Sequence, residues 1–291
     1  MRAVVLDAEG LPKLADLPEP TGPGALVRVR ACGLCGSDVE KLGRAPAGTV
    51  LGHEVAGELA DGTWVAVLHR VPCGSCERCR AGHSSTCAAF AALRIAPGGF
   101  AERLIATDYV PLPPSLAEHD GIWVVPLACV LRAAPVVPVG RTLVVGCGAI
   151  GLLWTQVLLR SGHEVVAADM RPDRLAGAHE LGAVADGGRV TAAVVTAAAG
   201  TDEALRRLEP GGVLLVFAGC DGPLPVSLDA VYRGELTIVG SRSASPASFA
   251  DALEVLPQLV LPASTTLPLE QFAEGVELYR RGEVLKVVFT P

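Results

Sequence analysis

Runs of basic residues are missing from this chain of 291 residues, and acidic residues exceed basic ones. Its 24 Lys and Arg residues stand against 31 Asp and Glu residues, so the formal net charge is −7 with neutral histidines. Nucleic-acid binding usually depends on a concentrated positive surface, which this composition does not supply. The sequence therefore argues against a nucleic-acid partner.

Long hydrophobic runs are also missing. No segment approaches the roughly 20 continuous apolar residues of a membrane-spanning helix, and the nearest one, TLVVGCGAIGLLWTQVLL, is interrupted by glycines. The first residues, MRAVVLDAEG, contain no apolar stretch of the kind found in a signal peptide. We therefore expect a cytoplasmic protein without a membrane partner, whose cysteines are thiols or metal ligands and not disulfides.

The pattern of apolar residues changes near residue 130. Half of the chain is apolar, which is enough for two hydrophobic cores. Before residue 130, short β-like runs such as ALVRVRAC and TWVAVLH are separated by Gly and Pro, which indicates a strand-rich region. After it, apolar strands such as TLVVG and HEVVAAD alternate with helical segments. This alternation predicts an α/β fold with a doubly wound parallel sheet.

A glycine-rich loop follows the first of these strands. Gly146, Gly148 and Gly151 have the G-x-G-x-x-G spacing, in which glycines allow a tight turn, close approach of a pyrophosphate and helix–strand packing. Asp169, at the end of the next strand, can accept hydrogen bonds from the hydroxyls of an adenine ribose. A glycine-rich turn followed by a solvated acid is the alternative interpretation. Because Asp169 would repel a 2′-phosphate, the pattern favours NAD over NADP, although Arg171 could pair with such a phosphate.

Four cysteines lie close together in the segment CGSCERCRAGHSSTC. Cys73, Cys76 and Cys79 follow each other at every third residue, and Cys87 comes eight residues later. Four thiolates can bind zinc in a closed tetrahedral site that leaves no position for substrate. A disulfide framework is disfavoured by a reducing cytosol, and an iron–sulfur cluster is a third interpretation because the C-x2-C-x2-C run also suits one.

Two further stretches contain ligand types that zinc prefers: CGSD includes Cys35 and GHE includes His53. Together with the cysteine cluster, the glycine loop, Asp169 and the closing LKVVFTP, they occur in the order typical of the medium-chain, zinc-dependent alcohol dehydrogenase family, which essentially the whole chain resembles. The resemblance implies a Rossmann cofactor domain and a β-rich, GroES-like catalytic domain. It places the catalytic domain with its cysteine lobe at residues 1–130, the NAD-binding domain at 131–243, and a return to the catalytic domain at 244–291.

The resemblance also implies a reaction, in which a hydride passes between a primary or secondary alcohol, or a polyol, and NAD. Two zinc ions per chain are expected, a structural one in the cysteine cluster and a catalytic one held by Cys35 and His53. Many relatives carry an acidic ligand before a PLA stretch, where this chain has Val125. Cys129 is therefore the expected third ligand of the catalytic zinc, with Glu54 as the fallback.

Several residues near the expected catalytic zinc receive roles from the same resemblance. Ser37 matches the residue that hydrogen-bonds the alcohol, and Asp38 matches an acid that orients the ligand histidine. Glu40 stands where many relatives have a relay histidine, so either this carboxylate or water is expected to relay the proton. His69 is either a wall of the substrate pocket or a strand-end histidine, and Phe100 lies either in that pocket or in the core.

The cofactor contacts expected from the resemblance lie mainly in the glycine loop, the helix after it and the acid that follows. They are Gly146, Gly148, Ala149, Ile150, Gly151, Asp169, Arg171, Arg174 and Lys286. The expected partners are a small-molecule alcohol or carbonyl substrate and further copies of the chain in a homodimer or homotetramer. The short segment after Asp169 predicts a sheet with little room for the usual helix between its third and fourth strands.

Three other functions fit parts of the sequence. A zinc-free reductase of enones or quinones would not need Cys35, His53 and the cysteine cluster together. A biosynthetic oxidoreductase acting on a large secondary-metabolite alcohol would suit the shortened loops. A nucleotide-binding protein with an impaired catalytic zinc site is favoured only by the missing acid before Pro126.

Overall fold

The computed structural model describes residues 1–116, 119–185, 187–219 and 226–291. The chain divides into two compact units. The first, which we call the split unit, contains Met1–Ala128 and Ala244–Pro291, and the second, the inserted unit, contains Cys129–Ser243. The split unit is therefore assembled from the two ends of the chain.

The secondary structure follows the change of pattern seen in the sequence. In chain order, the first segment of the split unit contains β1 (Arg2–Leu6), β2 (Pro12–Asp16), β3 (Ala25–Gly33), α1 (Gly36–Val39), β4 (Glu54–Glu58), β5 (Trp64–Val67), α2 (Glu77–Arg80), β6 (Ile95–Ala96), β7 (Arg103–Ala106), β8 (Tyr109–Pro111) and the beginning of α3 (Val124–Ala133). The inserted unit continues with β9 (Arg141–Val145), α4 (Ala149–Arg160), β10 (Glu164–Ala168), α5 (Pro172–Glu180), β11 (Val190–Val195), α6 (Thr201–Arg207), β12 (Leu208–Val216), α7 (Leu228–Gly234) and β13 (Thr237–Gly240). The last segment of the split unit contains α8 (Pro246–Val255), β14 (Ser264–Pro268), α9 (Phe272–Arg280) and β15 (Lys286–Thr290). Short 3₁₀ helices lie at Ser84–Thr86, Ala88–Ala91, Asp120–Trp123, Ala134–Val136, Ala198–Gly200, Leu256–Gln258 and Leu269–Gln271.

The main sheet of the split unit has the strand order β14-β15-β3-β4-β5-β8, and β7 pairs with both β3 and β6. In strand β3, Val27 and Val29 are buried, while Leu26 and Arg28 on either side of Val27 are exposed. This alternation is typical of a strand with one face on the core. The antiparallel pairing of β3 with β4 sets Gly33 opposite Glu54.

Three aromatic rings join the two segments of the split unit. Phe100 from the first segment lies 4.8 Å from Phe272 and 5.5 Å from Phe289, measured between ring centroids. All three side chains are buried. Of the two alternatives for Phe100, the structure therefore shows the core position.

The inserted unit contains a parallel sheet with the strand order β10-β9-β11-β12-β13. From strand β9, the chain first adds β10 on one side and then β11, β12 and β13 on the other. Because each crossover is right-handed, this change of direction places the helices of the two halves on opposite faces of the sheet. This order confirms the doubly wound α/β fold. None of the helices in the described ranges combines the length and hydropathy needed to cross a membrane.

The compressed segment after Asp169 leaves its mark on this sheet. Between β10 and β11 the described residues form α5 and a single parallel bridge between Val166 and Val184. The bridge stands where the next strand of a full doubly wound sheet would extend the edge. The described residues between this bridge and β11 contain no helix, in agreement with the little room that the short segment predicts, and the reduction of the strand itself to a bridge was not predicted.

Candidate metal and cofactor sites

The four cysteine sulfurs of residues 73–87 come together at one point of the split unit. Cys73 and Cys79 have sulfurs 4.0 Å apart, while the Cys76–Cys79 and Cys73–Cys87 sulfur distances are both 3.5 Å. Zinc–sulfur bonds of about 2.3 Å in a tetrahedron place sulfurs about 3.8 Å apart. A disulfide would need a sulfur–sulfur distance of about 2.05 Å. In a multi-iron cluster the cysteine sulfurs would be separated by the width of the cluster. The geometry thus fits a single tetrahedral ion.

The acidity of these thiols points to the same ligand. The N–H groups of Ser75 and Cys76 donate to the Cys73 sulfur and lower the pKa of that thiol to about 6. Burial, followed by the neighbouring Cys76 sulfur, raises the pKa of Cys79 to about 12. Four adjacent thiolates repel one another, so a bound cation would stabilise them by balancing their charge. The donor set fits zinc and leaves no position for another ligand.

A second group of metal-binding atoms is formed by Cys35, His53 and Glu54, whose donor atoms lie within 4.8 Å of one another. Cys35 immediately precedes α1, His53 immediately precedes β4, and Glu54 is the first residue of that strand. Cys35 and His53 are half-buried and Glu54 is buried. The thiol and imidazole expected to hold the catalytic zinc are thus adjacent in the structure, with the fallback carboxylate beside them.

The Asp38 side chain is hydrogen-bonded to two members of this group, Cys35 and His53. Its buried carboxylate accepts hydrogen bonds from the N–H groups of Cys35 at 3.2 Å and Gly52 at 3.4 Å, and lies 3.2 Å from His53 Nδ1. Burial opposes charge on both partners, but Asp38 raises the pKa of His53 well above its usual range, and His53 lowers the pKa of Asp38. A hydrogen bond at Nδ1 leaves Nε2 for a metal. The structure therefore places Asp38 where the resemblance expects it.

Ser37 and Glu40 occupy the two ends of α1. The Ser37 hydroxyl donates to the Cys35 sulfur at 3.4 Å, so it lies beside the expected metal. Glu40 follows the last residue of the helix and is exposed. The proton relay assigned to Glu40 stays a prediction.

A buried ion pair, which the sequence did not predict, lies behind Glu54. Its carboxylate pairs with the Lys286 ammonium, and both side chains are about 95% buried, with 4% and 5% of their surfaces exposed. The Lys286 ammonium also lies 5.4 Å from the centre of the Trp123 ring. Burial opposes its charge, but Glu54 keeps the pKa of Lys286 above its ordinary value. A side chain at Gly33 would approach Glu54 Oε2 at 2.5 Å, so the pair needs glycine there.

This ion pair bears on a sequence prediction. Lys286 was expected to bind cofactor, and the structure places it in the split unit, engaged with Glu54. A cofactor contact of Lys286 stays a prediction. The signal that could have revealed the pair is a lysine at the start of the otherwise apolar strand LKVVFTP, because a buried lysine almost always has an acidic partner.

His69 lies against His53, with ring centroids 4.5 Å apart and planes at 49°. Burial, followed by the charges of His53 and Arg70, lowers the pKa of His69 to about 3, so its imidazole is neutral at physiological pH. The His69 carbonyl accepts a hydrogen bond from the N–H of Arg94 at 2.9 Å. Of the two alternatives for His69, contact with a metal ligand favours the pocket wall.

The residue expected to be the third ligand of the catalytic zinc, Cys129, belongs to α3. Val125 is buried in this helix and has no donor atom. Cys129 follows one helical turn later, since residues i and i+4 lie on the same face of a helix, and it is the first residue of the inserted unit. Its role as the third ligand stays a prediction.

The glycine loop joins β9 to α4 in the inserted unit. Gly146 has φ of +91°, and a side chain there would meet Thr196 Oγ1 at 2.7 Å. A side chain at Gly151 would collide with the Gly146 carbonyl. Gly148 caps α4, with Arg174 Nη1 3.9 Å from the position of a Cβ atom. The loop thus has the tight turn and open helix end that a pyrophosphate requires.

Asp169 is fixed by two backbone groups at the end of β10. The N–H of Cys147 donates to Oδ2 at 2.7 Å and the N–H of Arg171 donates to Oδ1 at 2.9 Å. The Arg171 guanidinium donates to the Asp173 carboxylate at 3.2 and 3.1 Å. The Cys147 side chain is buried. Burial, followed by the charge of Asp169, raises the pKa of its thiol to about 12. The two N–H groups therefore hold the Asp169 carboxylate next to the glycine loop.

Comparisons with known proteins extend this picture. The family model for the alcohol dehydrogenase GroES-like domain matches residues 22–114. The chain is 33% identical to D-altritol 5-dehydrogenase of Agrobacterium fabrum over 92% of this chain and 94% of that protein. It is 28% identical to L-galactonate-5-dehydrogenase of Escherichia coli over 96% and 95% of the two chains.

Solved structures give the same result. Galactitol-1-phosphate dehydrogenase from Escherichia coli matches with a TM-score of 0.87 and 26% identity, covering all of both chains. The alcohol dehydrogenase TADH from Thermus sp. ATN1 matches with a TM-score of 0.84 and 26% identity, over 100% of this chain and 99% of that one. Fold and site thus define an oxidoreductase of the dehydrogenase type. The chain belongs to the medium-chain, zinc-dependent alcohol dehydrogenase family, as its motifs predict.

Proposed function

We propose that this protein oxidises a secondary hydroxyl of a polyol, or reduces the matching ketone, with zinc and NAD. The observation that carries the proposal is the group formed by Cys35, His53 and Glu54, with His53 oriented by Asp38. Three similar proteins are named for reactions at position 5 of sugar alcohols or sugar acids, on D-altritol, L-galactonate and galactitol 1-phosphate. A polyol therefore fits better than a simple alcohol.

The expected metal ligands and their neighbours have separate parts in this proposal. Cys35, His53 and Cys129 hold the catalytic zinc, which when bound supplies Lewis acidity toward the substrate hydroxyl. Ser37 lies beside Cys35 and takes the proton from that hydroxyl, since a serine can accept and donate at the same oxygen. The proton leaves through Glu40 or water. Cys73, Cys76, Cys79 and Cys87 hold the second zinc, which stabilises the fold.

The cofactor part of the proposal depends on Asp169. Its carboxylate is held by two N–H groups, so a 2′-phosphate would meet a negative charge that cannot move aside. The Arg171 guanidinium is engaged with Asp173. The N-terminus of α4, at Ala149 and Ile150, offers backbone N–H groups to the pyrophosphate. These features favour NAD over NADP.

Steady-state kinetics of the zinc-loaded protein test the proposal. D-altritol, D-sorbitol and galactitol are offered with NAD and with NADP, and turnover is followed by absorbance of the reduced cofactor. We expect oxidation with NAD. The ratio of kcat/KM with NAD to kcat/KM with NADP should fall about tenfold or more in Asp169→Ser. Preference for NADP would contradict the assigned role of Asp169, and absence of turnover with every polyol would contradict the proposed substrate class.

A nucleotide-binding protein with an impaired zinc site is the second candidate, favoured by Val125 where relatives have an acid. Metal analysis separates the two, because the dehydrogenase binds two zinc ions per chain and the impaired protein binds one. The homodimer or homotetramer implied by the resemblance is part of the proposal, and light scattering in solution tests it.

A further inference from the structure

We propose that His69 sets substrate specificity by hydrogen-bonding a second hydroxyl of the substrate, next to the hydroxyl that is oxidised. The inference rests on the proposed function, and it names a feature that the substrate must carry. The predicted substrate class is a vicinal polyol, in contrast to a monohydric alcohol of the same length.

The position of His69 is the first reason. Its ring lies in direct contact with the ring of His53, with 4.5 Å between centroids. Asp38 fixes His53 from its Nδ1 side, so the two rings have a defined relative position. A side chain that touches a metal ligand borders the space in which that ligand acts.

The unused hydrogen-bonding capacity of His69 is the second reason. Among the residues that the structure describes, neither ring nitrogen of His69 has a hydrogen-bond partner, and the side chain is half-buried. An imidazole carries at least one ring N–H donor in either charge state. The ring nitrogens are not among the buried unpartnered atoms of the described residues, so water reaches them and a substrate hydroxyl can take the place of that water.

The rigidity of the surrounding backbone is the third reason. The N–H of Leu68 donates to the Asp108 carbonyl at 3.0 Å, and the His69 carbonyl accepts from Arg94 at 2.9 Å. The neighbouring Arg70 donates to the carbonyls of Phe90 and Ala91 at 2.8 and 2.6 Å. Because both neighbours are anchored, little conformational entropy is lost when a ligand binds the ring.

A packing role is the alternative explanation for this histidine. A phenylalanine would fill the same space against His53. It would favour a substrate in which the carbon next to the oxidised one carries no hydroxyl. The two roles differ in one observable, namely the ratio of activity on a polyol to activity on a monohydric alcohol. A merely structural residue affects both substrates equally.

The experiment compares wild type, His69→Phe and His69→Asn with D-sorbitol, D-altritol and 2-hexanol, which has six carbons and one secondary hydroxyl. We expect His69→Phe to lower the ratio of kcat/KM for polyol over 2-hexanol about tenfold, the effect of one lost hydrogen bond. His69→Asn keeps a donor and an acceptor and should restore part of the ratio. The exposed His119 provides a matched control, and His119→Phe should leave the ratio unchanged.

Two further measurements keep the test decisive. Zinc analysis should give the same metal content for all variants, and loss of zinc in His69→Phe would overturn the proposal by showing that the residue acts on the metal site. Calorimetry of polyol binding to the protein with zinc and NADH measures the same contact without turnover, because the reduced cofactor cannot accept a hydride. If wild type turns over no polyol but binds one, and His69→Phe weakens that binding about tenfold, the role of His69 stands although the proposed function fails. An unchanged ratio with unchanged binding, or a wild type that neither binds nor oxidises any polyol, overturns the inference.

Discussion

The cysteine cluster takes its four sulfurs from residues 73–87, whereas the Cys35–His53–Glu54 group depends on segments from both ends of the split unit. Cys35 precedes α1, His53 precedes β4 and Glu54 begins it, and Lys286, which pairs with Glu54, begins β15 near the end of the chain. The first site can form from a short segment around an ion, and the second exists only when the sheet has formed. This difference supports the proposal that the cysteine cluster stabilises the fold and that the Cys35–His53–Glu54 group carries the chemistry.

The largest expected contrast comes from removing one sulfur from each site. Cys76→Ser should lose about one zinc per chain and lower Tm by about 10 °C or more, because a closed metal site contributes its binding free energy directly to folding. Cys35→Ser should abolish turnover and leave Tm within a few degrees of wild type. Calorimetry, metal analysis and kinetics measure the three quantities.

The exposed Glu77 lies next to Cys76, so Glu77→Gln serves as the control and should keep both zinc ions and the wild-type Tm. A Cys76→Ser protein that loses activity but keeps its thermal stability would contradict the structural role of the cluster.

The sequence predicts these two sites unequally, for a physical reason. The cluster is encoded locally, so spacing alone indicates its ligands, and the sulfur distances of 3.5–4.0 Å agree with that prediction. The doubly wound sheet is likewise readable from alternating strands and helices. Contacts such as Glu54 with Lys286, or His53 with His69, depend on strands brought together by the whole sheet. No local pattern in the sequence encodes these contacts. The sequence therefore identifies the residues but does not show which of them meet.

The second prediction concerns the buried ion pair behind the catalytic group. Lys286→Met leaves the Glu54 carboxylate buried without its partner, which should lower the free energy of unfolding by about 3–5 kcal/mol. The double variant Glu54→Gln with Lys286→Met should recover a large part of that loss, because no charge is then buried. Chemical denaturation measures both values.

Lys41→Met provides the matched control, because Lys41 is exposed, and it should change stability by less than about 0.5 kcal/mol. A double variant as unstable as Lys286→Met alone would show that packing against Trp123, and not charge pairing, accounts for the effect.

The third prediction sharpens the difference in ligand sets. If Cys129 is the third ligand, Cys129→Ala should retain the structural zinc and lose most of the catalytic zinc, with a Tm close to wild type. Metal analysis after dialysis against a weak chelator measures the loss. Full retention of both ions would rule out Cys129 and direct attention to Glu54, whose carboxylate already lies in the metal-binding group.

The smallest expected effect tests whether the two metal sites are independent. Arg70 lies between them in the chain, next to His69, and its guanidinium donates to the carbonyls of Phe90 and Ala91, just beyond the last cysteine ligand. Arg70→Met keeps much of the aliphatic volume and removes these hydrogen bonds, so stability should fall by about 1 kcal/mol. Because the segment carrying His69 loses an anchor, KM for a polyol should rise a few-fold while zinc content stays at two per chain.

Arg70→Lys should show a smaller change in both stability and KM, since an ammonium can still donate to one of the carbonyls. An unchanged KM with reduced stability would show that the cysteine lobe and the catalytic group act independently, and that the backbone hydrogen bonds of Leu68 and His69 suffice to position the His69 ring.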